Sequence, residues 1–271
     1  MVDNKYFAID AHCHVYPDKI AQKAADATDR FYDVHGFGDG TIGMLMREGK
    51  KAGIDRFVVQ SVATTPRQVS SINNFIADSV NKSGGILTGL GTLHPDSDDQ
   101  ERDVLEIISL GLHGVKLHPD IQNFKIDDYR CLKIYELCEK HRLPILMHTG
   151  DSRYDNSNPN RLVPVLEIYT DLIVVGAHFG GWSIWEEASK KLHGIKNLYV
   201  DCSSSFAWLP DNEKVKEIIY RYGTDRVMFG TDYPMWSPYT EIERFMSLNL
   251  SEEDNRKILS ENAVRIYGIE E

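Results

Sequence analysis

The chain has 271 residues, 42% apolar and 26% charged, an ordinary composition for a folded water-soluble domain that excludes a disordered or fibrous chain. Its formal net charge of −11 argues against nucleic acid as a partner, because a phosphate backbone attracts basic surfaces. The N-terminal MVDNKYFAIDAHCH lacks the apolar run of a signal peptide, and no later stretch approaches the ~20 apolar residues of a membrane span, so a cytoplasmic protein that meets no membrane is expected.

In chain order, the first expected strand is Tyr6 to His12, followed by a segment from Tyr16 to Gly53 that is longer than one crossover helix requires. Within it, Arg30 to Gly43 is expected as a lid or subunit contact. A strand at Arg56 to Ser61, a helix at Arg67 to Lys82, a strand at Ile86 to Leu93 and a helix at Asp98 to Leu110 come next. Strands at Gly114 to His118, Pro144 to His148, Ile173 to His178, Leu198 to Cys202 and Arg226 to Thr231 then alternate with helices at Asp127 to His141, Asn160 to Thr170, Trp182 to Leu192 and Asn212 to Tyr222, and a helix at Glu252 to Tyr267 closes the chain. The strands are apolar on both faces, as parallel strands covered by helices are. Strict alternation over eight units predicts a closed (β/α)8 TIM barrel, and no linker or repeat marks a second domain, so one domain over residues 1–271 is expected. Cys13, Cys131, Cys138 and Cys202 form no dense framework and are expected as reduced thiols.

Chemistry-bearing residues collect where such a barrel places its active site, at the C-terminal ends of the strands. Asp10, His12 and His14 of IDAHCH alternate and so are expected on one strand face, a spacing at which two imidazoles can grip one ion. His148 in PILMHTG, His178 in VVGAHFGG and Asp232 in FGTDYP close later strands. Taken singly, each histidine also fits a packing residue or one bonded to a loop, and Asp232 also fits a turn ahead of Pro234. Their common placement is what points to a shared site.

The motifs IDAHCH, GVKLHP, PILMHTG, VVGAHFGG and FGTDYP, spread from residue 9 to residue 234, resemble the amidohydrolase superfamily, in its amidohydrolase-related branch that includes aminocarboxymuconate-semialdehyde decarboxylase-like enzymes. The resemblance implies a metal-dependent TIM barrel in which His12, His14, His148 and Asp232 bind one divalent ion, with His178 against the ion's water. Three imidazoles and a carboxylate suit Zn²⁺ first, with Mn²⁺ and Fe²⁺ able to use the same set. Asp232 and His178 are then the expected catalytic residues, as proton acceptor and as orienting or oxyanion-stabilising group.

Lys116 of GVKLHP resembles the carboxylated bridging lysine of two-metal relatives. An unmodified lysine holding a substrate carboxylate, or paired with a barrel carboxylate such as Asp10, fits the single-metal branch better, so a second ion is not expected. His118, Arg153 and Trp182 complete the expected substrate-binding set, Arg153 as one of several arginines near strand ends that could clamp a carboxylate. The expected reaction is hydrolysis of a C–N or C–O bond in a small molecule by metal-activated water. The alternative is non-oxidative decarboxylation of a small unsaturated or aromatic acid, and outside enzymes a silent ligand-binding barrel. Relatives of this kind are often homodimers, with Arg30 to Gly43 the segment expected to make the contact.

Overall fold

Nine short strand segments, all paired in parallel, wind round a single axis in the computed structural model, which describes residues 5–270. Met1–Asn4 and Glu271, the ends of the domain expected over 1–271, lie outside the described residues. The strands are β1 (Ile9–His14), β2 (Arg56–Gln60), β3 (Leu87–Gly89), β4 (Gly91–Thr92), β5 (Val115–Leu117), β6 (Ile145–Met147), β7 (Val174–Gly176), β8 (Leu198–Asp201) and β9 (Val227–Met228). β3 and β4 occupy the one strand expected at Ile86 to Leu93. The Leu90 amide between them donates to Val59 O at 2.9 Å and the Gly91 amide to Gly114 O at 2.9 Å, so the segment changes partner without breaking the wall. The ring closes where the Ala11 amide donates to Phe229 O and the Asp232 amide to His12 O, each at 2.9 Å. The fold is the (β/α)8 barrel expected.

Alternation along each strand sorts apolar side chains into two cores. Val58, Leu90, Leu146, Val175 and Met228 fill the barrel interior, and the last turn of the chain, with Ala263 and Tyr267, plugs its lower end. Phe57, Val59, Ile145, Met147 and Val174 point outward into the shell between strands and helices. The rule continues upward: above Leu146 in the same inward file stands His148, and β5 sends Lys116 and then His118 inward while Val115 and Leu117 face the shell.

The first strand breaks that alternation, and the break makes the site. Ile9 and Ala11 lie in the interior core, but Cys13 lies in the shell, and the pairing with β2 shifts register between Asp10 and Cys13. One residue of slip exchanges the faces of a strand. Below the bulge the odd-numbered residues face inward; above it the even ones do, which brings His12 and His14 to the mouth. Asp10, expected on their face, sits below the bulge and turns to β9's exit instead, accepting from the Thr231 amide at 2.9 Å and the Thr231 hydroxyl at 2.6 Å.

The long segment from Tyr16 to Gly53 carries α1 (Ala21–Tyr32) and α2 (Ile42–Ala52), the second capped by the Thr41 side chain and closed by Gly53 at φ +75°. The Arg30 to Gly43 stretch expected as a lid is helical only at its two ends and otherwise forms the irregular link between these helices. α3 (Val69–Lys82), α4 (Gln100–Ser109), α6 (Leu132–His141), α7 (Pro159–Ile168), α8 (Trp185–Leu192) and α9 (Asn212–Tyr222) follow the expected order, with a short α5 (Pro119–Gln122), not expected from the sequence, between α4 and α6. A helix absent from the sequence reading, α10 (Pro238–Met246), starts at the Ser237 cap, and α11 (Glu252–Arg256) runs through a π turn into α12 (Asn262–Tyr267). Cys13, Cys131, Cys138 and Cys202 are free and buried. No helix among the described residues is long and apolar enough to cross a membrane.

Candidate active site

At the mouth, His12 Nε2, His14 Nε2 and Asp232 Oδ1 converge. The two imidazole nitrogens are 3.2 Å apart, and the carboxylate oxygen lies 3.3 Å from the first and 3.5 Å from the second. His12 and Asp232 are each aimed by a partner behind them. His12 Nδ1 meets Asp201 Oδ2 at 2.9 Å; a carboxylate accepts, so the proton belongs on Nδ1 and Nε2 offers its lone pair to the cluster. Asp201 is in turn held by the backbone amides of His178 and Ser203 at 3.1 and 3.0 Å and by the Ser203 hydroxyl. Asp232 Oδ2 accepts from Ser204 Oγ at 2.6 Å, and Ser204 from the Trp236 indole at 2.7 Å, which leaves Oδ1 for the cluster.

His178 follows the same logic. Its Nδ1 lies 2.9 Å from the Ser203 carbonyl, which can only accept, so Nε2 carries the lone pair. That Nε2 faces His148 Nδ1 at 3.1 Å. His148 stacks on His118 with centroids 4.0 Å apart and planes 7° from parallel. The backbone is bent to achieve this: His178, Ser204 and Asp232 have φ of 59°, 49° and 61°, the left-handed region that side chains other than glycine seldom adopt.

Burial sets the charges. It pulls His12, His14, His118 and His148 well below the usual imidazole range and His178 to about 4, so the imidazoles are neutral at neutral pH. It also lowers Lys116 and raises Asp232 from their ordinary values. Lys116 is fully buried on the barrel floor with Nζ 3.2 Å from His12 Nε2. It does not meet Asp10, whose oxygens are taken by Thr231.

The donor set fits a divalent ion. His12 Nε2, His14 Nε2 and Asp232 Oδ1 lie close enough together to share one centre, and His12 Nδ1 is fixed by the Asp201 carboxylate. His148 is not part of the tight His12–His14–Asp232 group; it joins through His178 and lies beside Asp120.

Above the floor opens a cavity of about 690 Å³ between α1 and α3, with Ile20, Ala24, Phe31, Ile72 and Phe75 in its walls and His14, His118, His148, His178 and Asp232 beneath. Of the residues expected to bind substrate, His118 lines this cavity, and Trp182 lines a smaller one that shares Tyr32, His148, His178 and Asp232 with it. Arg153 lines neither. Its guanidinium is spent on Asp151 Oδ2 at 2.8 Å and the Phe31 carbonyl at 2.8 Å, and it lies over the rings of Phe31, Tyr32, Tyr154 and Trp182, where it fastens α1 to the barrel. The structure thus gives the expected carboxylate clamp a different task.

Tyr32, unassigned from sequence, is the residue α1 brings over the floor. His118 Nδ1 accepts from the Ile121 amide, so its Nε2–H donates to Tyr32 Oη at 2.8 Å and the phenolic proton is free to point elsewhere. Asp201, Ser203 and Ser204 were also missed. They lie in LYVDCSSS, at and just beyond the end of an expected strand, and the argument that singled out His148 and His178 applies to Asp201 equally.

A family model described as amidohydrolase matches residues 9–269. Among solved structures, an uncharacterized TIM-barrel protein from Bordetella bronchiseptica superposes with a TM-score of 0.78 at 22% identity, covering 96% of this chain and 98% of the other. A 5-carboxyvanillate decarboxylase from Sphingomonas paucimobilis gives 0.76 at 17% identity over 98% and 100% of the two chains. A dihydroxybenzoic acid decarboxylase from a Polaromonas species, with bound manganese, gives 0.71 at 15% identity over 97% of each chain.

Proposed function

The chain belongs to the amidohydrolase family, and from that premise we propose that it is a metal-dependent non-oxidative decarboxylase of a small carboxylic acid. His12, His14 and Asp232, with His148 through Nδ1, would hold one divalent ion, zinc or manganese, which supplies a positive centre for the substrate's carboxylate or activates a water.

The observation that carries this reading is the character of the cavity. Its walls are mostly apolar, with Thr28, Ser61, Thr64, Gln68 and Ser71 among them, and among the described residues the one lysine or arginine lining it is the exposed Lys23. A carboxylate drawn down past these walls leaves bulk water, and losing carbon dioxide passes its charge to the carbon, where an unsaturated or aromatic acid spreads it. An arginine clamp, expected from the sequence for this reaction, is not needed where an ion faces the carboxylate. Two of the three solved relatives above are named as decarboxylases, which also supports placing this reaction ahead of the hydrolysis favoured from sequence.

The chain's own groups supply the remaining steps. After the carbon–carbon bond breaks, the carbon needs a proton. Asp232 is placed to relay it from water: Ser204 fixes its Oδ2, and its Oδ1 faces the His12 and His14 nitrogens where an ion would sit. His178, held by Ser203, orients the reacting group, and Tyr32 with α1 excludes water from above. Hydrolysis is the second reading, favoured by the same Oδ1, which accepts no hydrogen bond from the described residues and is open to take a proton from water.

The test is a panel of hydroxybenzoic and unsaturated acids beside lactones and amides, scored for carbon dioxide and for ring or amide opening, with zinc- and manganese-loaded protein. Carbon dioxide release that stops in Asp232→Asn is the expected result. Turnover confined to lactones or amides overturns decarboxylation and installs hydrolysis.

A further inference from the structure

Two polar atoms at the mouth are buried and have no hydrogen-bond partner: His148 Nε2 and Asp120 Oδ1. They belong to neighbouring side chains, with His148 Nε2 lying 3.7 Å from the other oxygen of Asp120. Two orphaned groups side by side, each able to satisfy the other after a small rotation, need a reason for standing apart, since buried polar groups are normally paired.

The reason lies in where His148 keeps its proton. His178 Nε2 presents a lone pair, because its Nδ1 proton is given to the Ser203 carbonyl at 2.9 Å. His148 Nδ1, 3.1 Å away, meets that lone pair by carrying a proton itself. His148 Nε2 is then bare, and a bare nitrogen has nothing to offer a carboxylate. If His148 turns its Nδ1 lone pair to an ion, the proton moves to Nε2, and Asp120 becomes its acceptor. We infer that Asp120 is the positioning residue for His148: it accepts the Nε2 proton and so fixes Nδ1 as the ligating atom.

The surroundings hold both partners ready. Ser157 Oγ donates to Asp120 Oδ2 at 2.5 Å, Pro119 starts the short α5 on which Asp120 sits, and the stacked His118 ring restrains the His148 plane. Metal-bound imidazoles commonly rest on a carboxylate in this way. The inference rests on His148 being a metal ligand, and its test separates the two claims.

Zinc affinity is measured by competition with a chromophoric chelator for the wild type, Asp120→Asn, Asp120→Glu and His12→Ala. Asp120→Asn is expected to bind zinc about 10–100-fold more weakly, the usual loss for such a partner, with Asp120→Glu recovering most of it. The melting temperature of ion-free Asp120→Asn should match that of the ion-free wild type, and the ¹⁵N spectrum of zinc-loaded wild type should place the His148 proton on Nε2. If Asp120→Asn does not fold, Ser157→Ala, which removes only the hydroxyl on Asp120 Oδ2, is expected to weaken zinc several-fold. Wild-type affinity in Asp120→Asn, or in Ser157→Ala where that stands in, overturns the positioning role alone. A wild type that binds no zinc, with His12→Ala indistinguishable from it, overturns the metal reading beneath it.

Discussion

The two sides of the mouth are built differently. On the β1–β8–β9 side, His12, Asp201, Ser203, Ser204 and Asp232 form a chain in which each side chain is held by at least one partner, and Asp201 alone takes hydrogen bonds from a ring, two amides and a hydroxyl. On the β5–β6 side, His148 and Asp120 each keep a buried atom unpartnered. The first side is finished by folding; the second is finished only when His148 changes its proton. Rigid placement and ligand-dependent completion therefore coexist within one strand ring.

The sharpest way to break this contrast is to remove the finished side. His12→Ala with His14→Ala should abolish ion retention, read as metal per chain by elemental analysis, and Asp232→Asn should abolish turnover; near-normal rates in the latter would remove Asp232 from the chemistry. Next comes Asp201→Asn. It lets an amide face His12 Nδ1 and leaves donors around it unmatched, so it should lower zinc affinity about 10–100-fold and also destabilise the ion-free protein by about 1–3 kcal/mol in urea unfolding. Asp120→Asn should share the first effect and lack the second. If both variants destabilise the ion-free protein equally, the two sides do not differ as described.

Glu241 asks whether an unpartnered carboxylate is in itself a sign of ion binding. It is buried on α10 with Oε2 unsatisfied, and burial pushes its carboxyl up to about 8. For an acid raised in the folded state, the stabilising contribution is complete below the ordinary carboxylate value near 4.5 and is lost as pH rises through about 8. Wild-type stability should therefore fall relative to Glu241→Gln over that window, with a slope approaching about 1.4 kcal/mol per pH unit, and zinc affinity should not change. Parallel stability–pH curves for the two proteins would contradict the assignment. The smallest effect belongs to Tyr32→Phe, which loses one hydrogen bond to His118 and should cost about 1 kcal/mol or less, seen in thermal unfolding.

How much of this was readable from sequence divides along similar lines. The ligand-type residues were legible because a strand's end is marked by its apolar run, and His148, His178 and Asp232 follow such runs directly. His12 and His14 were placed correctly at the mouth, but by a face argument that also put Asp10 beside them. The bulge between Asp10 and Cys13 leaves no mark in IDAHCH, since its evidence is the pairing with β2. Arg153 was misplaced because the competitor for its charge, Asp151, is a neighbour in sequence whose orientation depends on the loop. Tyr32 was hidden because α1 belongs to a segment whose position over the barrel is decided by distant contacts, among them the bond from Arg153 to the Phe31 carbonyl.

The closure of the ring by the Asp232 amide on the His12 carbonyl joins residues far apart along the chain. A ribosome releasing this chain would expose His12 and His14 long before Asp232 emerged, so the three-donor pocket cannot exist on a nascent fragment. Ion capture by these three donors would thereby be tied to completion of the last strand.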